Sequence, residues 1–137
     1  MASPTSDIQR IYVQWDEALS ANDPERLLAL YAPDAILESP LVTHLLGKEE
    51  GVCRGHAELK PFFEMVAKRK PSVRRYHRNP YFTDGRILMW EYPRAAPNGD
   101  QMDFVEVMEI ERGLIQRHRV YWGWYGVNVL LKDRYHS

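Results

Sequence analysis

The second half of the chain constrains the fold most, because it alternates strand-like segments with tight turns. Segments rich in β-branched and aromatic residues predict strands at about 73–79, 86–94, 102–111 and 114–125. The three gaps between successive strands contain TDG, APNGD and ERG, which include the residues that tight turns favour. Strands joined in this way pair with their neighbours in sequence. The pattern therefore predicts an antiparallel meander.

The first half predicts helices. A helix is expected over 7–21, where Ser6 can act as the N-cap and the apolar residues recur every three or four positions. A second helix opens at Asp23 and Pro24 and ends before Pro33, and a third spans 55–70. A short strand in AILESPL and a loop over 42–54 separate the last two. Three helices before a run of antiparallel strands predict an α+β fold, with the helices on one face of a curved sheet.

Length and composition predict one globular domain over 1–137, with tails at 1–6 and 127–137. The net charge of −1 produces no field that would attract nucleic acid or a membrane, so neither is expected as a partner. Cys53 is the only cysteine, which excludes an internal disulfide and favours the cytoplasm. The basic stretch 68–78 is open to two interpretations: a solvated helix end and strand, or a site for an anionic partner.

A two- or four-residue turn at Arg112–Gly113 would fix which side chains of the last hairpin face the helices. It places His118 on the same face as two tryptophans, and a three-residue turn would reverse this assignment. Apolar walls with a few polar groups are typical of a small-molecule pocket. The predicted inner face comprises Leu88, Trp90, Tyr92, Asp103, Val105, Val107, His118, Val120 and Trp122. The outer face would then expose Met89, Phe104, Met108 and Tyr121, which predicts a homodimer through that face.

Three stretches together resemble the nuclear transport factor 2-like superfamily, in its SnoaL-like and ketosteroid isomerase-like branch. They are WDEALSANDPERLLALYAPDAILESP, CRGHAELKPFF and GLIQRHRVYWG, and the resemblance covers about 7–125. It implies a cone-shaped fold, with three helices against a strongly bent sheet, a deep pocket and frequent dimerisation. Family pocket positions on the last strand match His118, Val120 and Trp122.

The same resemblance shows where this chain departs from its characterised relatives. The aspartate base of ketosteroid isomerases matches Ser39, their helix-1 tyrosine matches Trp15, and their second acid matches Val105. The arginine and aspartate of limonene epoxide hydrolases match Tyr92 and Arg94. Steroid isomerisation by the family mechanism is therefore not expected.

His118 is the first candidate catalytic residue, because an imidazole exchanges protons near neutral pH. Tyr92 could donate to a developing oxyanion, and Asp103 could bind the other end of a ligand or form a structural ion pair. Each also has a structural interpretation, such as a hydrogen-bonded core histidine. No metal ligand set is predicted from the histidine spacings, and no cofactor motif is found. The predicted substrate-binding residues are Tyr12, Trp15, Ser39, Trp90, Val105, Val107, Val120 and Trp122.

Two functions fit these residues. The first is a cofactor-free isomerase or lyase, such as a dehydratase or cyclase, that uses general acid–base chemistry on a small, apolar, oxygenated substrate. The second is a non-catalytic module of the same fold that binds a hydrophobic ligand or dimerises. The vacant family positions favour the module, whereas His118 in an apolar lining favours the enzyme.

Overall fold

A computed structural model describes residues 4–68, 80–95 and 101–132, without the side chains of residues 4, 5, 94, 95 and 101. It confirms the α+β class, with helices packed on a six-stranded curved sheet. No helix in the described ranges is long and apolar enough to span a membrane. The elements are α1 (Pro4–Ser20), α2 (Pro24–Leu28), β1 (Tyr31–Glu38), α3 (Pro40–Leu46), β2 (Val52–Arg54), α4 (Gly55–Lys68), β3 (Phe82–Thr83), β4 (Ile87–Ala95), β5 (Gln101–Glu111), β6 (Leu114–Trp122) and α5 (Trp124–Leu131).

The strand order is β2-β1-β6-β5-β4-β3. Strands β4 to β6 follow the predicted meander, and β3, which was not predicted, pairs with β4, so that each of these strands is antiparallel to the next. Strand β1 lies parallel to β6, so the first strand of the chain borders the last one. This arrangement places residues near both ends of the chain side by side in the middle of the sheet.

Several boundaries differ from the sequence predictions. Helix α1 begins at Pro4, so Ser6 lies inside the helix and does not cap it. Ser39 caps a helix, α3, where a loop was expected, and α5 occupies part of the predicted C-terminal tail. Helix α2 begins as predicted, since the Asp23 side chain accepts a hydrogen bond from the Arg26 amide. The predicted strand at 73–79 and most of the basic stretch lie outside the described residues.

A β-bulge in the last hairpin overturns the predicted facing of β5. The hairpin has a two-residue turn, since Arg112 and Gly113 both have positive φ and Glu111 pairs with Leu114. Beyond the next pair, β6 contains one extra residue, Gln116, and the register shifts by one. His118 consequently lies opposite Met108, whereas a hairpin without the bulge would place it opposite Val107.

The shift exchanges the two faces of β5 while those of β4 and β6 stay as predicted. Phe104 and Met108, expected on the outer face, are buried in the core. Asp103 is exposed, and Val105 and Val107 are only partly buried on the outer face. The inner face of β5 instead presents Met102, Phe104, Glu106, Met108 and Ile110, all of them buried. A one-residue slip reverses every subsequent side chain because the side-chain period of a strand is two.

Candidate active site

A cavity that opens at the surface lies between the helices and the inner face of the sheet. Most of the side chains around it are apolar or aromatic, and its polar groups come from the sheet and from the N-cap of α3. This combination is typical of ligand pockets. The lining residues are Trp15, Leu19, Leu27, Tyr31, Leu37, Ser39, Leu41, Phe62, Phe63, Val66, Tyr92, Phe104, Glu106, His118, Val120 and Trp122.

A continuous chain of side-chain hydrogen bonds runs along this wall. Both ring nitrogens of His118 take part: Nδ1 lies 2.7 Å from the Tyr31 hydroxyl, and Nε2 lies 2.6 Å from Glu106 Oε1. The chain continues at both ends, because Trp15 Nε1 donates to the Tyr31 oxygen at 3.2 Å and the Tyr92 hydroxyl donates to Glu106 Oε2 at 2.5 Å. We call these five residues the relay.

Helix α1 and four strands bring the relay together, with Trp15 in α1 and Tyr92 in β4. Tyr31 opens β1, His118 lies in β6 beside Leu37 of the same β1, and Glu106 lies in β5 opposite Val120. The relay is sealed from solvent, since the exposed fractions are 1% for Tyr31, 2% for His118 and 3% for Glu106. The Tyr31 and His118 rings are stacked, with their centroids 5.9 Å apart.

The direction of the hydrogen bonds follows from the chemistry of Tyr31. Burial raises the pKa of this phenol well above its usual range, so the hydroxyl keeps its proton. Its oxygen accepts from Trp15, and its own proton can be donated to His118 Nδ1 at 2.7 Å.

That arrangement assigns the remaining protons. With Tyr31 donating to Nδ1, the His118 ring carries its proton on Nε2, which donates to Glu106. Glu106 receives a second hydrogen bond from Tyr92 on its other oxygen, so its hydrogen bonds match an ionised carboxylate. Every proton in the relay then has an acceptor, as buried polar groups require.

The candidate residues from the sequence divide into two groups. Six of them line the cavity: Trp15, Ser39, Tyr92, His118, Val120 and Trp122. The other five do not: Tyr12, Trp90, Asp103, Val105 and Val107. Tyr12 packs against Tyr81 and Trp90, and Trp90 lies behind Trp15 with their ring centroids 5.5 Å apart. Ser39 accepts a hydrogen bond from the Leu41 amide, so its hydroxyl has a structural role in α3.

Two relay residues escaped the sequence prediction. Glu106 was absent from the predicted inner face, and Arg119 on the outer face pairs with Glu109 at 2.5 Å. An acid is thus present in the sheet one residue beyond Val105, the position that the family resemblance had left without one. Tyr31 was included in α2. Pro33 disfavours helical backbone at the residue before it, so the sequence would also have allowed a strand to begin at Tyr31. No cluster of metal-binding side chains occurs within the described ranges.

A protein-family model describing the SnoaL-like domain matches residues 12–118, well over half of the chain. The chain belongs to the SnoaL-like family. The match contains Trp15, Tyr31, Tyr92, Glu106 and His118, so the whole relay lies within the family domain of this SnoaL-like protein. No protein of curated function matches the chain.

Solved structures resemble the SnoaL-like protein over most of its length. An NTF2-like protein of unknown function from Burkholderia pseudomallei K96243 is 22% identical, with a TM-score of 0.72, covering 91% of this chain and 97% of that one. A SnoaL-like protein of unknown function from Burkholderia thailandensis E264 is 16% identical, with a TM-score of 0.71 and coverages of 85% and 94%. TerC, co-crystallised with polyporic acid, is 18% identical, with a TM-score of 0.71 and coverages of 93% and 99%. At these identities the likeness shows the fold alone.

Proposed function

We propose that this SnoaL-like protein is a cofactor-free enzyme of the isomerase or lyase type that moves a proton on a small, apolar, oxygenated substrate. The observation that carries the proposal is the ordered relay Tyr31–His118–Glu106 in the wall of an apolar cavity. A hydroxyl, an imidazole and a carboxylate joined in this order are the parts of a general acid–base system.

The relay defines a proton path. Both nitrogens of His118 are engaged, so Tyr31 is the group through which the imidazole meets a substrate. As the Tyr31 oxygen takes a proton from the substrate, its own proton passes to Nδ1, and the Glu106 carboxylate stabilises the resulting imidazolium. Return of the proton to a different carbon completes an isomerisation, and return to a leaving hydroxyl completes a dehydration.

The roles in this proposal differ from those expected from the sequence. His118 keeps its part as the proton acceptor. Tyr92 acts on Glu106, to which its hydroxyl donates, and is not assigned to an oxyanion. Trp15 donates a hydrogen bond to the Tyr31 oxygen and holds it in place. Trp122 and Val120 line the cavity that would bind the substrate. Asp103 receives no role, because it is exposed on the far side of the sheet.

The experiment is a search for proton transfer by the unmodified protein. A panel of aromatic ketones, β-hydroxy ketones and epoxides is incubated in D₂O, and deuterium uptake and product formation are followed by mass spectrometry. We expect uptake above the buffer rate for at least one class. Absence of any uptake or product over the whole panel would contradict the proposal.

One observation favours the alternative of a non-catalytic ligand-binding module. Each of the relay hydrogen bonds joins two protein side chains, so the relay also satisfies itself in the empty cavity. Such a module would bind members of the same panel without changing them. TerC, which shares the fold, was crystallised with polyporic acid, a precedent for ligand binding by this architecture.

A homodimer through the outer sheet face is part of the proposal. The bulge removes Phe104 and Met108 from that face but adds Val105 opposite Tyr121 and Val107 opposite Met89. Met89 is 38% exposed and Tyr121 is 54% exposed, so an apolar patch remains.

We expect a dimer by light scattering at micromolar concentration. Tyr121→Glu should shift it towards monomer, because a carboxylate would be buried against Val105. The control is Leu131→Glu, at a residue of α5 that is 74% exposed. A monomeric wild-type protein would contradict the prediction.

We also place the protein in the cytosol. The chain has a single cysteine, Cys53, which is free and fully buried. A reducing compartment suits such a residue, since no disulfide within the chain is possible. Detection of the protein only in a secreted fraction would contradict this location.

A further inference from the structure

We infer that Glu106 makes the cavity select by charge, so that it takes uncharged aromatic ligands and rejects carboxylates. The inference rests on the proposed function, because it takes this cavity to be the ligand site. It adds a substrate class and a residue that determines specificity.

The described side chains that line the cavity include a carboxylate but no lysine or arginine to balance it. Of the described residues that line it, Glu106 carries the only carboxylate, and none is a lysine or arginine. Arg117 and Arg119 flank His118 in β6 and therefore project from the opposite face of the sheet. The Arg119 guanidinium also forms an ion pair with Glu109 on that outer face. A ligand carboxylate would thus meet a like charge in a setting of low polarity, without a cation to offset it.

Three hydrogen-bond donors of the wall, next to the Glu106 carboxylate, are already committed. His118 and Tyr92 both donate to Glu106, and Tyr31 donates to His118. An anionic ligand could recruit one of these protons only by removing it from the buried carboxylate or from the imidazole that supports it. An uncharged ligand with a single carbonyl or hydroxyl oxygen needs at most one donor and places no charge beside Glu106.

The remaining wall suits a flat ring. Aromatic side chains come from helix α1, from α4 and from four strands, so a planar ligand can pack against ring faces and edges on several sides. These aromatic lining residues are Trp15, Tyr31, Phe62, Phe63, Tyr92, Phe104 and Trp122. The two oxygens of Glu106 already accept from protein donors, which removes the need for a cationic ligand.

The test compares two probes with the same ring. 2-Acetonaphthone is uncharged and 2-naphthoate is anionic at pH 7.5, and binding of each is measured by isothermal titration calorimetry with the wild-type protein. We expect the ketone to bind at least about tenfold more tightly, a difference of about 1.4 kcal/mol. Equal affinities, tighter binding of the naphthoate, or no binding of either probe would overturn the inference.

Glu106→Gln identifies the residue responsible, because glutamine keeps the shape and removes the charge. We expect this change to raise the naphthoate affinity about tenfold and to alter the ketone affinity by less than about threefold. The matched control is Glu91→Gln, an exposed carboxylate on the neighbouring strand, which should leave both affinities unchanged. If the variant does not fold by circular dichroism, the wild-type ratio decides alone. Binding is measured without turnover, so an inactive protein that shows the expected ratio would contradict only the proposed function.

Discussion

Replacing Tyr31 with phenylalanine is expected to lower the rate of proton transfer by about 100-fold to 10,000-fold, the usual contribution of a positioned acid–base group. The change keeps the ring that packs against Phe63 and His118 and removes only the hydroxyl. Without it, His118 has no contact with the substrate along the proposed path. The measurement is kcat/KM for whichever panel substrate the wild-type protein converts.

Tyr81→Phe is the matched control for this prediction. The Tyr81 hydroxyl donates to Gln9 at 2.7 Å on the surface, and Tyr81 does not line the cavity. This variant should retain the wild-type rate. Circular dichroism would establish that both variants are folded. An unchanged kcat/KM in Tyr31→Phe would show that the proton does not pass through this hydroxyl.

Replacing Glu106 with leucine is expected to lower the free energy of unfolding by about 2–6 kcal/mol. The substitution leaves two buried donors without their acceptor, namely Nε2 of His118 and the Tyr92 hydroxyl. Each buried donor left unsatisfied costs about 1–3 kcal/mol. The measurement is urea denaturation followed by tryptophan fluorescence.

The control for the stability prediction is Glu91→Gln, which changes an exposed carboxylate on β4. Surface changes of this kind usually alter stability by no more than about 0.5 kcal/mol. A loss below about 1 kcal/mol in Glu106→Leu would mean that water or a rearranged side chain satisfies both donors, and that the relay is less rigid than its geometry indicates.

The order of the longer helices and strands was predictable because periodicity and turn residues are local properties, whereas the short elements α3, β2, β3 and α5 were not predicted. The strands that became β4, β5 and β6 were placed within a few residues, and the turn at Arg112–Gly113 was placed correctly. The facing of β5 was not predictable, because it depends on one extra residue in β6. The Gln116 side chain donates to the main-chain carbonyl of Glu111 at 2.9 Å across the hairpin turn, a contact with no distinctive sequence pattern.

The same bulge explains why the site was only partly predicted. His118, Val120 and Trp122 were identified because their common face was inferred within β6 itself. All three follow the bulge, so the extra residue does not change how they face relative to one another. Glu106 was missed because its facing was inferred across the hairpin, where the extra residue reverses it. Tyr31 was missed because the parallel pairing of β1 with β6 joins residues far apart in sequence. Local patterns do not specify such a pairing.

The central claim is that Tyr31 donates to a neutral His118, whose other nitrogen donates to Glu106. The most direct measurement is two-bond ¹H–¹⁵N correlation of the histidine rings at pH 7 in the uniformly ¹⁵N-labelled protein, with His118→Gln used to assign the signal. We expect a neutral ring for His118, with a protonated Nε2 and an unprotonated Nδ1. A ring protonated at Nδ1, alone or together with Nε2, would contradict it.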